Sequence, residues 1–146
     1  MNHHPRQQRL QRTISSVLQE GRELIDEVLG RLSQQQWSGT DYFSVQMALE
    51  EAVVNAIKHG NREIAEKKVH LDCRYSPTHV CIEIQDEGPG FNPANVPDCT
   101  DETHIELPCG RGLLLMRSFM NRVEYKGCGN VVVMEKTRDT ASASAH

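Results

Sequence analysis

The sequence predicts an α+β fold, a two-layer sandwich with helices on one face of a mixed, largely antiparallel sheet. Three observations predict it. Apolar residues recur at helical spacing in two blocks within the first sixty positions. Two pairs of short segments, one pair in the middle of the chain and one near its end, read as β-hairpins. The order helix, helix, hairpin, long loop, helix, hairpin groups like elements instead of alternating them. A length of 146 residues suits one compact domain that buries a core without staples. That domain is expected over 9–136, between a polar start at 1–8 and a small polar tail at 137–146, both expected to be flexible.

The elements follow in order. A short strand is expected at Arg9–Ser15. From Ser16 to Gln36 the apolar set is Val17, Leu18, Leu24, Ile25, Val28, Leu29 and Leu32, an amphipathic helix broken by Ser38-Gly39-Thr40. A second helix runs from Asp41, its expected N-cap, to about His59, carrying Val45, Leu49, Ala52, Val53, Ala56 and Ile57. Gly60 and Asn61 then read as ordinary punctuation after a helix. Val69–Tyr75 and His79–Gln85 alternate as strands around a Ser76-Pro77-Thr78 turn. Residues 86–110 form a long Gly/Pro/Asp/Asn-rich loop, of a length usually reserved for function. A third helix opens near Gly112, with Met116, Phe119 and Met120 read as core. Strands at Arg122–Lys126 and Asn130–Lys136 close the domain across Gly127-Cys128-Gly129.

Composition excludes several classes. A net charge of −4 gives no basic footprint for nucleic acid. Arg6, Arg9 and Arg12 read as a solvated start, and Trp37 as a packing residue. No apolar run approaches a membrane span. The five cysteines are odd in number, have no C-x-x-C spacing and follow no signal peptide, so reduced thiols in a cytoplasmic protein are expected. Scattered Cys and His leave a metal-binding redox protein as a third-ranked reading, which a metal analysis would test.

Three segments carry chemistry. Glu51 and Asn55 lie four apart on one helix face, with Lys58 and His59 continuing that side. The spacing alone also suits a solvated face. A carboxylate can take a proton, and a carboxamide oxygen suits a hard cation. Glu50 is rotated away and read as solvated, and His59 is read as structural at the helix end. Next, strand parity points Asp86 the same way as Val80, Ile82 and Ile84, toward the helices. A carboxylate there needs a partner, and an adenine amino group is one. Gly88 and Gly90 allow close approach of a ligand, although Asp and Gly also end strands for purely local reasons. Finally, Gly110-Arg111-Gly112-Leu113 opens a helix whose free amides suit phosphate. No G-K-S/T follows, so it is not a P-loop, and no strand leads directly into it.

In this order the segments resemble the GHKL ATPase superfamily, shared by gyrase, heat-shock chaperones, histidine kinases and mismatch-repair proteins. Glu50-Glu51-Ala52-Val53-Val54-Asn55-Ala56-Ile57-Lys58-His59-Gly60 resembles the small anti-sigma-factor serine/threonine kinases. So do Asp86-Glu87-Gly88-Pro89-Gly90-Phe91, Gly110-Arg111-Gly112-Leu113 and Met116-Arg117-Ser118-Phe119-Met120. The resemblance covers roughly residues 10–136. It implies the GHKL fold, ATP and Mg2+ as cofactors, Glu51 as general base and Asn55 as magnesium ligand. Asp86 would hold the adenine amino group, Gly88 and Gly90 the turn beside it, residues 91–109 a lid, and Gly110, Arg111, Gly112 and Leu113 the phosphates. The family often has Gly-Thr before its last strand; here Asn130 follows Gly129, and no site role is assigned to it.

The implied function is a protein kinase that phosphorylates a STAS-type anti-sigma-factor antagonist and regulates transcription by partner switching. A sigma factor and a homodimer are further partners that the resemblance allows. A histidine kinase would be expected to carry a preceding phosphoacceptor helix pair, and a gyrase-like ATPase a transducer domain. The competing class is a non-catalytic ATP-binding module that sequesters a protein partner.

Overall fold

The computed structural model describes residues 7–88, 119–127 and 130–138. Five strands and two helices appear there: β1 (Gln8–Ser15), α1 (Leu18–Gln34), α2 (Gly39–Asn55), β2 (Lys68–Tyr75), β3 (His79–Gln85), β4 (Arg122–Lys126) and β5 (Val131–Thr137). The sheet order is β1-β2-β3-β5-β4, and every described pairing is antiparallel. Both helices lie against one face, as the helix–helix–hairpin order predicts. Of the expected third helix, only Phe119 and Met120 fall within the described residues. Met120 is buried and Phe119 packs against the core, consistent with the reading of both as core.

Alternation decides the two faces of the sheet. Leu10, Cys73, Ile82, Met134 and Val123 form one row across all five strands and point toward the helices. The adjacent row, Arg9, Arg74, Cys81, Glu135 and Arg122, points the other way. Val28, Leu32, Val45, Leu49 and Ile57 fill the space between helices and sheet and are fully buried. Cys73 belongs to this core, where burial pushes its thiol up to about 12, out of the reactive range.

The helix ends differ from expectation for local reasons. Helix α1 stops before Ser38, because Gln36 adopts a left-handed φ of 70°. The N–H groups of Gln36 and Trp37 then reach back to Ser33 O and Leu32 O, both at 3.0 Å. This is a Schellman closure without the usual glycine, and it turns Trp37 inward. Helix α2 starts at Gly39 with Ser38 as its N-cap, so Asp41 is not the cap. Asp41 sits inside the first turn, where its charge favours the positive helix end. There it faces Lys136 of β5 at 3.8 Å. Helices α1 and α2 come close at Gly21: an added Cβ would lie 2.7 Å from Ile57 Cδ1 and 3.1 Å from Val53 Cγ1.

The N-terminal arginines are less solitary than the sequence suggests. Arg9 grips Asp72 with two bonds of 2.7 and 3.0 Å. Arg12 does the same to Glu27, tying β1 to α1. Arg6 lies outside the described residues. No helix among those residues is long and apolar enough to cross a membrane.

Candidate nucleotide site

Helix α2 buries Val45, Leu49, Ala52 and Val53 against the sheet. The 3.6-residue repeat then leaves Glu51 and Asn55 together on the flank of that stripe, both half-buried. Glu50 is turned away, as expected, but is half-buried rather than free in solvent, and accepts a 3.2 Å bond from Gln46.

After Asn55 the helix widens into a π-helical turn, Ala56–Gly60, closed by Asn61 N–H donating to Ala56 O at 2.9 Å. Such single turns recur at functional sites because the extra residue redirects the chain. Lys58 and His59 lie in this turn and are exposed, so the regular helix spacing used in the sequence no longer sets their bearing. Arg62 and Glu63 follow at left-handed φ angles of 52° and 58°, rarely adopted by non-glycine residues.

The turn's main effect is on Gly60. Its Cα packs directly on the carboxyl group of Asp86, and an added Cβ would run into that group, reaching Oδ1 at 2.7 Å. Gly88 packs in turn on the Gly60 carbonyl, with an added Cβ 2.6 Å from the carbonyl carbon. Three residues therefore interlock. Backbone freedom is the expected use of Gly88, yet its φ is not left-handed; what the fold uses is the missing side chain.

Asp86 follows the inward parity of Val80, Ile82 and Ile84. Its backbone is held on both sides by Asn130: Asp86 N–H donates to Asn130 O, and Asn130 Nδ2 donates to Asp86 O, each at 3.0 Å. Asp86 Oδ1 accepts the Gly88 N–H at 2.8 Å. Burial raises the carboxyl above the usual carboxylate range, while the Gly88 bond and the charge of Lys67 pull it back. Oδ2 has no hydrogen-bond donor among the described residues.

The fold thus joins Glu51 and Asn55 on α2, through the π turn, to Asp86 and Gly88 at the end of β3. Gly90, Gly110, Arg111, Gly112 and Leu113 lie outside the described residues, as does the expected lid. Gly60, Asn61 and Asn130 are the residues that sequence reasoning missed. Gly60 and Asn61 looked like helix-end punctuation, and only the tertiary contact reveals more. Among the described residues, no group of three His, Cys, Asp or Glu side chains gathers as a metal site.

Comparison with known proteins places the fold in a family. Residues 12–136 match the family described as the histidine kinase-like ATPase domain. The match covers most of the chain, and the chain belongs to that family. An ATPase domain of this kind implies ATP binding. The chain is 28% identical over 92 residues to the serine/threonine-protein kinase BtrW of Bordetella bronchiseptica, covering 62% of this chain and 65% of BtrW. The match thus spans just under two thirds of that relative's length. It is also 30% identical over 105 residues to the anti-sigma F factor of Clostridium beijerinckii, covering 67% and 72% of the two chains. With the anti-sigma F factor of Clostridium acetobutylicum it shares 32% identity over 99 residues, covering 63% and 67%.

Proposed function

We propose that this protein is an ATP-dependent serine/threonine-protein kinase of the anti-sigma-factor type. Its substrate would be a cytoplasmic STAS-type antagonist protein, and its output the control of transcription by partner switching. A sigma factor and a second copy of the chain complete the proposed partners. The observation that carries the reading is the interlock of Gly60, Asp86 and Gly88. It holds a half-buried carboxylate in place beside the helix that bears Glu51 and Asn55. The names of the relatives, a serine/threonine kinase and anti-sigma factors, support the same direction.

The donor set fits the nucleotide. Asp86 offers carboxylate oxygen to an adenine amino group, and the glycine-lined turn leaves no side chain in the way. Asn55 offers the neutral oxygen that magnesium accepts. Bound magnesium would neutralise charge on the phosphates. The chain's own residues would do the rest. Glu51 would take the proton of the attacking hydroxyl, and Asp86 would fix the base. Gly110, Arg111, Gly112 and Leu113 would hold the phosphate end. Phosphoryl transfer needs little more than such positioning and charge stabilisation.

The test is transfer of labelled phosphate from ATP to a candidate antagonist protein. Glu51→Ala is expected to keep nucleotide affinity and to lose transfer by roughly 10²-fold or more. Transfer at the wild-type rate would remove Glu51 as base. Tight nucleotide binding with no transfer even in the wild type would favour a non-catalytic module that sequesters its partner.

A further inference from the structure

The feature that the proposed roles leave unused is a fully buried carboxamide. Asn61 is 0% exposed, and its side chain is bonded on both sides. Nδ2 donates to Ser16 Oγ at 2.8 Å and to Lys68 O at 2.9 Å. Oδ1 accepts the backbone N–H of Glu87 at 2.7 Å, the shortest of the three. Its own N–H closes the π turn on Ala56 O, and its carbonyl accepts from Ile64 N–H at 3.0 Å. Ser16 Oγ passes the chain of bonds on to Lys67 O at 2.7 Å. One side chain therefore joins the end of β1, the start of β2, the end of α2 and the turn after β3.

We infer that Asn61 is a positioning residue for base recognition, acting on Asp86 through the Glu87 amide. The inference rests on the reading of Asp86 as the adenine contact. The Asp86–Glu87 peptide is gripped from two directions: Asn130 Nδ2 holds its carbonyl and Asn61 Oδ1 holds its N–H. With the peptide plane pinned, the Asp86 side chain has little room except against Gly60, which is the residue before Asn61. Asn61 thus sets both walls of the pocket for the carboxylate: the peptide behind it and the α-carbon beside it. Loss of the Oδ1 bond frees the peptide to rotate, and the carboxylate moves away from the position a ligand amino group requires. An unpaired Glu87 N–H would itself seek a partner, and the adjacent Asp86 carboxylate is a charged acceptor.

Two nucleotides test this: ATP, and purine-riboside triphosphate, which lacks the 6-amino group. The wild-type chain is expected to prefer ATP by roughly tenfold or more, the worth of a hydrogen bond to a charged group. Asn61→Leu is expected to bring that ratio close to one and to speed hydrogen exchange at the Glu87 amide. Asn61→Asp keeps an oxygen for Glu87 and should retain most of the ratio while losing stability. Ser16→Ala loosens the same cluster away from Glu87 and should keep the ratio intact. If Asn61→Leu binds both nucleotides more weakly but with the wild-type ratio, Asn61 is only structural and the inference is wrong. If Asn61→Leu does not fold, the smaller Asn61→Ala takes its place: a ratio close to one supports the inference, and the wild-type ratio overturns it. A wild-type chain without preference overturns the adenine reading itself, and the inference with it. A protected Glu87 amide in that protein would show that the bond exists but serves something else.

Discussion

The two ends of the β2–β3 hairpin are built by the same device to different ends. At the turn end, Ser76 N–H closes on His79 O at 2.8 Å. The buried Trp37 donates Nε1–H to Ser76 O at 2.8 Å, and Arg138 donates its backbone N–H to Thr78 O at 2.8 Å. The Arg138 guanidinium lies 5.9 Å from the centre of the Trp37 ring, within cation–π range. At the open end, Asn61 and Asn130 bind the backbone around Asp86. In both places side chains satisfy hairpin backbone groups: the buried Trp37 at the turn, the buried Asn61 and half-buried Asn130 at the open end. The difference is the charged group at the centre. At the turn it is a guanidinium, charged at any ordinary pH and covered by an aromatic face. At the open end it is a carboxylate that burial pushes toward its neutral form, walled by two glycines. The first end is a prop; at the second, the carboxylate takes its charged form only at a cost in stability.

Four perturbations should separate the ends, beginning with the largest effect. Trp37→Ala removes a fully packed indole and should cost about 3–5 kcal/mol in denaturant unfolding. The protein that remains folded should bind ATP as the wild type does. A loss of affinity there would mean that the ends are coupled. Gly60→Ala forces a methyl group onto the Asp86 carboxyl and should cost about 1–3 kcal/mol. Unlike Trp37→Ala, it should also abolish most nucleotide binding by titration calorimetry. Unchanged affinity would show that the interlock has slack.

The third is a pH experiment. Burial raises the Asp86 pKa in the folded chain above its ordinary value of 3.8. Its contribution to stability is therefore complete below that value and is lost as pH rises through the folded pKa. Asp86→Asn has no proton to lose, so it should gain on the wild type as pH rises through this window. Nucleotide affinity should fall in the same variant. A stability difference that does not change with pH would show that the carboxylate is well solvated. The smallest effect is expected from Arg9→Ala, on the outer face of the sheet. The Arg9 bond holds Asp72 below the usual carboxylate range, and stability from that pair is present above the ordinary pKa and lost as pH falls through the folded one. Both partners reach solvent, so the change should be slight, should fade with added salt and should leave ATP binding untouched.

Local pattern was enough for the scaffold. Period-two alternation in Val69–Tyr75 and His79–Gln85 marked the strands, and it also pointed Asp86 inward, because parity does not depend on the rest of the fold. Spacing of four put Glu51 and Asn55 on one face for the same reason. Helix ends were less legible. The left-handed angle at Gln36 and the π turn at Ala56–Gly60 carry no residue signature, since packing against Trp37 and Asp86 selects them.

The sequence by itself therefore determined the layers of the sandwich, the hairpins and the inward carboxylate, all of which follow from short-range periodicity. Only the tertiary structure decided what surrounds that carboxylate. Gly60, Asn61 and Asn130 stand 26, 25 and 44 positions from Asp86 in the chain, and no periodic signal spans such distances. Their roles come from close packing and from the need to satisfy buried polar groups. Those are properties of a site assembled from separate segments, and they do not exist until the segments meet.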